Sequence, residues 1–144
     1  MPKISNTAEF LARVPLFQNL KKRQRESLAK RFVERRYPAD TAIVTQGKGG
    51  EGFFIIVSGN TKVLRERADS AQIQVNEFGE MEFFGELALL DDGPRTASVV
   101  TTEPTECLVL TRWDFYGALK DDVDMSIVIL QELARRFRIA LDAL

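Results

Sequence analysis

The sequence predicts an α+β fold: an antiparallel β-roll of short strands, double-stranded β-helix or jelly-roll-like, flanked by N- and C-terminal helices. Three observations lead there. Apolar residues recur at helical spacing near both ends of the chain. Between them lie short β-branched and aromatic runs, set apart by Gly, Pro, Asn and Asp clusters. The length, 144 residues, suits one domain with a real core. We place helices in 1–36, the roll in 37–112 and helices again in 113–144.

Composition narrows the function classes. With 44% hydrophobic and 28% charged residues the chain is ordinary globular protein, not a disordered one. A net charge of −1 carries no global bias towards nucleic acid or a membrane surface. One Cys excludes an intramolecular disulfide and fits a reducing compartment. No apolar run approaches the roughly 20 residues of a membrane span, and MPKISNTAEF lacks a signal-peptide stretch, so a cytoplasmic protein is expected. The absence of His removes His-based triads and the His metal sites of cupins, another β-roll-like architecture. We therefore expect no catalytic residues, no metal and no enzyme.

Ser5 to Arg36 reads as helical, with Phe10, Leu11, Val14, Leu16, Phe17 and Leu20 as an apolar cluster broken at Pro15. Lys21–Arg36 is strongly basic. Without aromatic stacking residues among its charges it reads as a solvated face over Leu28, Ala29, Phe32 and Val33, not as a nucleic-acid surface. Tyr37-Pro38-Ala39-Asp40 marks the shift to strands. Ala42–Thr45 is one strand, Gly47–Gly52 a flexible turn, and Phe53–Val57 a buried strand closed by a Ser58-Gly59-Asn60 hairpin turn. The turn GKGGEG lacks a Lys-Ser/Thr ending and leads into a strand, so it is no Walker motif. Thr61–Arg65 and Gln72–Phe78 alternate in period two, joined by an exposed polar link, Glu66–Ala71.

The stretch 83–100, FFGELALLDDGPRTASVV, concentrates the chemistry. Gly85 lets a ligand approach the backbone. Glu86 starts a short helical turn whose first N–H groups suit an anion. Asp91 to Pro94 stops that turn, by turn chemistry and not as a metal site. Arg95 then offers a planar cationic fork that matches phosphate. A carboxylate beside a phosphate site makes sense if the ligand also presents hydroxyls, as a ribose does. The combination asks for a phosphorylated sugar.

Cys107–Leu110 is a further strand, and Cys107 a buried structural thiol with no His to activate it. Helices follow over Trp113–Lys120 and Val123–Leu144. In the last, Val123, Ile127, Leu130, Ala134, Phe137, Leu141 and Leu144 alternate spacings of four and three. This heptad-like seam fits a homodimer interface and equally a face laid on the sheet.

FGELALL, a short turn and PRTASV resemble the phosphate-binding cassette of cyclic nucleotide-binding domains. Those domains occur in regulatory subunits of cyclic-nucleotide-dependent kinases, gated channels and the catabolite activator family. VPLFQNL (14–20) and YPADTAIVTQGKGGEGFFIIVSG (37–59) resemble the family as well. Met81 departs from it, standing where the family commonly has a second Gly, so the loop there is expected to run differently.

The resemblance implies a regulatory sensor of a cyclic nucleotide, cAMP ahead of cGMP. Thr96 directly after Arg95 resembles cGMP-binding kinases, yet channels with the same run respond to cAMP. By resemblance, N–H groups near Leu87 and Ala88 hold the cyclic phosphate, and Arg95 neutralises it. Glu86 accepts the ribose 2′-hydroxyl, Gly85 allows close approach, and Thr96 or Ala97 completes the wall. The last helix would move over the base, with Leu133, Arg135, Arg136 and Phe137 in reach, and act on an effector protein or domain. Ending at Leu144 without room for a helix-turn-helix, the chain is expected to make no direct DNA contact. A member that binds no nucleotide and serves only for dimerisation or docking is the alternative.

Overall fold

The computed structural model describes residues 6–49, 52–91 and 93–144. The first half of the chain runs α1 (Thr7–Leu11), a 3-10 turn (Pro15–Phe17), α2 (Lys22–Ala29), β1 (Val33–Tyr37), β2 (Ala42–Val44), β3 (Gly52–Ser58) and β4 (Asn60–Glu66). The second half runs β5 (Gln72–Gly79), β6 (Phe83–Phe84), a 3-10 turn (Glu86–Leu89), β7 (Ser98–Thr101), β8 (Thr105–Thr111), α3 (Arg112–Asp121) and α4 (Val123–Asp142). Ser5 at the expected helix start, Gly50 and Glu51 of the Gly-rich turn, and Asp92 lie outside the described residues. The chain divides into two compact units, Phe32–Arg112 and the helices before and after it.

The first unit is two four-stranded antiparallel sheets, ordered β1-β8-β3-β6 and β2-β7-β4-β5. Successive strands mostly change sheet, which is what makes it a roll. Val44, Val63 and Val99 from one sheet and Phe54, Ile56, Phe84, Cys107 and Val109 from the other form the core between them. Phe84 stacks on Phe54 at 5.0 Å and on Phe78 at 5.4 Å between ring centroids. β3 is central and buried on both faces, so it reads as a continuous apolar run, while β4 alternates.

Two sequence expectations are corrected. The helix predicted through Arg36 ends at Ala29, and Val33–Tyr37 is a strand paired with β8. Val33 and Tyr37 favour a pleated surface, and Arg36 pairs across the sheet with Glu106 at 3.2 Å. The charges in VERRY had hidden the period of two. Ser58-Gly59-Asn60 does not close a hairpin either, because β3 and β4 belong to different sheets. Gly59 (φ 109°) turns the chain from one to the other, and a Cβ there would lie 2.7 Å from the Thr105 Cα. The true hairpin is β4–β5, with the expected polar tip closed by Arg67 N–H to Ala71 O at 2.9 Å.

In the helical unit, Asn6 and Asp122 cap α1 and α4 by accepting the N–H groups of Glu9 and Met125 at 3.1 and 3.2 Å. Phe10, Leu11, Leu16, Phe17, Leu28, Phe115, Met125 and Ile129 are among its large buried residues. Phe17 and Phe115 pack with centroids 6.1 Å apart. Val123, Ile127, Leu130, Ala134, Phe137, Leu141 and Leu144 are all exposed. The inward face of α4 is instead Met125, Ile129 and Glu132. No helix among the described residues is long and apolar enough to cross a membrane.

Candidate functional site: a pocket around Arg95

The site is built where β6 leaves its pairing with β3 (Phe84 opposite Phe54) and turns at Gly85. Gly85 has φ 88°, and a Cβ on it would fall 2.6 Å from the Gly52 carbonyl oxygen and 2.7 Å from Arg95 Nη1. Both the backbone hand and the close approach therefore require glycine. The 3-10 turn Glu86–Leu89 follows, anchored by buried Leu89. Within it the Ala88 N–H donates to Gly85 O at 3.0 Å and the Leu90 N–H to Leu87 O at 3.0 Å.

Arg95 is fixed by the Gly-rich turn. Its N–H donates to Lys48 O at 2.9 Å, its carbonyl accepts from Gly47 N at 2.8 Å, and Pro94 bridges Gly49. The Nη2 group donates to Gly52 O at 2.8 Å. The buried Nε–H has no acceptor among the described residues, and no ion pair described there includes Arg95. Burial pulls the guanidinium below its ordinary pKa. Among the described residues this half-buried cation is held only by a carbonyl, an arrangement with the chemistry to take an anion.

Around it lies a cavity of about 580 Å³, within the range of small-molecule sites. All seven sequence-predicted residues (Gly85, Glu86, Leu87, Ala88, Arg95, Thr96 and Ala97) line it. Sequence reasoning missed the apolar end, made by Val44, Val63, Phe78 and Val99, and the backbone clamp on Arg95. Inward-facing positions at period two were the available signal for the apolar wall. Asp91 lines the rim; its Oδ1 accepts from Gly93 N at 3.1 Å and its carbonyl from Arg112 Nη1 at 2.9 Å. Turn chemistry, as expected, accounts for it, and no cluster of metal-ligating residues occurs among the described residues.

A polar anchor at one end and an apolar slot at the other suit a phosphorylated nucleoside. The family model described as "Cyclic nucleotide-binding domain" matches residues 34–122, more than half of the sequence. The chain belongs to that family.

Relatives agree in architecture. A CRP-like cAMP-activated global transcriptional regulator of Mycobacterium tuberculosis is 30% identical over 130 residues. The match takes in 90% of this chain and 58% of that protein, so the chain spans little over half the length of that relative. The N-terminal domain of a transcriptional regulator from Streptomyces coelicolor A3(2) superposes with TM-score 0.85 at 28% identity, covering 94% of each chain. The Thermus thermophilus catabolite activator protein gives 0.68 at 32% identity, over 88% of this chain and 59% of its own.

Within this cyclic nucleotide-binding domain, Met81 keeps a left-handed backbone (φ 67°) at the position where a glycine is common in the family. Its N–H donates to Ile56 O at 2.7 Å, and Ile56 N–H donates to Glu82 O at 2.8 Å. The loop is thus pinned to β3 despite the side chain. Cys107 is buried and its thiol pushed up to about 12 by desolvation, which makes it the inert residue expected.

Proposed function

We propose that the pocket binds a cyclic nucleotide, cAMP ahead of cGMP, and that the chain is a regulatory sensor module and not an enzyme. The observation that carries this reading is Arg95, desolvated, clamped by backbone and without a carboxylate among the described residues. A cyclic phosphate supplies the anion, approached over Gly85 and the N–H groups at the start of the Glu86–Leu89 turn. These are the N–H groups near Leu87 and Ala88, of which the Ala88 N–H also donates to Gly85 O within the turn. Glu86 accepts the ribose 2′-hydroxyl, and the base lies against Thr96, Ala97 and the valine-lined end. α4 then shifts on binding and passes the signal to an effector protein or domain.

The exposed seam on α4 favours one addition, a homodimer through Val123–Leu144. Seven apolar or small residues in alternating four–three spacing are self-complementary, and a continuous exposed apolar stripe marks an interaction surface.

Equilibrium titration by calorimetry with cAMP, cGMP and 5′-AMP tests the ligand. Saturable binding of a cyclic form, with 5′-AMP weak, is expected. Absence of heat and of competition with either cyclic form leaves only the docking module.

A further inference from the structure

α4 carries a group that binding does not use. Glu132 is 1% exposed at its side chain, although it is a carboxylate on a helix whose opposite stripe is open to solvent. It accepts from Asn19 Nδ2 at 3.0 Å and Gln18 Nε2 at 3.4 Å, both in the turn after Pro15–Phe17. It also accepts from Arg135 Nε and Nη2 at 3.1 and 2.7 Å and from Arg136 Nε at 3.2 Å. The hydrogen bond from Arg135, supported by Arg136 and Gln18 and opposed by burial, holds its carboxyl below the ordinary range.

The sequence before it shows why such a group is needed. Ile127, Val128, Ile129 and Leu130 are four consecutive apolar residues. At about 100° per residue they cover most of the helix circumference. Hydrophobicity alone therefore does not decide which of them turns inward. In the structure only Ile129 is fully buried, while Ile127 and Leu130 are exposed. A buried charge is costly in any orientation that leaves it unpaired, and only one rotation of α4 brings Glu132 to the two amides.

We propose that Glu132 is a positioning residue that selects the rotational register of α4, and so fixes which stripe of the helix is presented outward. Its contribution is specificity and not net stability, since a well-packed apolar side chain in place of a buried ion pair is often neutral or stabilising. The inference goes beyond ligand binding and holds whether or not a nucleotide enters the pocket.

Thiol labelling of the full chain tests it, because Cys107 is buried and unreactive. Ile129→Cys reports the inward face and Gln131→Cys an exposed position off the seam. With Glu132 intact, Gln131→Cys labels faster by about 100-fold or more, as burial and local opening dictate. In Glu132→Leu that ratio falls by about tenfold or more, with the denaturation midpoint kept or raised. In Glu132→Gln, which keeps hydrogen-bonding capacity but loses the charge that pairs with Arg135 and Arg136, the ratio falls by less, about threefold. An unchanged ratio in folded Glu132→Leu overturns the proposal. If Glu132→Leu does not fold, Glu132→Gln decides it: a lowered ratio with folding intact supports register selection. A lowered midpoint with an unchanged ratio in Glu132→Gln shows a merely stabilising role and overturns it.

Discussion

Arg95 enters the folded chain already stripped of much of its water, with a buried Nε–H that no described residue accepts. Such a group costs stability until an anion meets it, which is how a binding site differs from a surface ion pair. Glu86 is the second polar group of the proposed binding mode. Its replacement in Glu86→Ala removes one charge-assisted hydrogen bond and should weaken cAMP binding by about 1.5–3 kcal/mol, roughly one to two decades; calorimetry reads this directly, and unaltered affinity would exclude the ribose contact. Met81 makes a stability prediction. A left-handed non-glycine residue costs about 1–2 kcal/mol, and with the side chain 39% exposed little packing is lost in Met81→Gly. Urea unfolding should therefore show a gain of about 0.5–1 kcal/mol after glycine's added chain entropy is subtracted; a loss would mean the backbone there is not strained. The residues that line the polar end of the cavity were legible in the sequence because Gly, Glu and Arg carry distinct chemistry within one short stretch. The Gly52 carbonyl that orients Arg95 was not, since a backbone oxygen leaves no trace in residue type.

Elements were legible where period and punctuation agreed. β4, which alternates in burial, and β5, whose apolar residues alternate only in sequence, were found with their connecting tip. β1 was not, because its outward Glu34 and Arg36 continue the basic run of α2 and the strand appears only through its pairing with β8. For α4 the seam was visible by spacing, but its exposure required the structure. That exposure predicts association: Phe137→Glu should convert a dimer to a monomer in sedimentation equilibrium, and an identical mass for both chains would remove the dimer from the account. The inward face predicts a pH dependence. The Glu132 carboxyl sits below its ordinary value of 4.5, so its stabilising contribution is complete above that pH and is lost as pH falls through the depressed folded value. Denaturation midpoints of wild type and Glu132→Gln should thus converge as the solution is acidified from pH 6 towards 3, whereas a constant gap would show that the carboxylate does not titrate with folding.

At the scale of the whole molecule, the strand order of one sheet explains the apolar end of the pocket. Val44, Val63, Phe78 and Val99 lie on four strands of the same sheet, β2-β7-β4-β5, and meet because those strands pair in that order as the roll closes. That is why the polar end of the site could be read from eighteen consecutive residues, Phe83 to Val100, and the apolar end could not. The same closure lets the Gly-rich turn before β3 reach the residue that follows Pro94, two parts of the chain that local pattern never connects. At that junction lies the proposed contact between one guanidinium and one cyclic phosphate. Its most direct measurement is the cAMP affinity of wild type against Arg95→Leu, by calorimetry under identical salt. Saturable binding by wild type is expected, with a loss of about 2–5 kcal/mol, roughly one and a half to three and a half decades, in the variant. Equal affinity in a folded Arg95→Leu chain would contradict it.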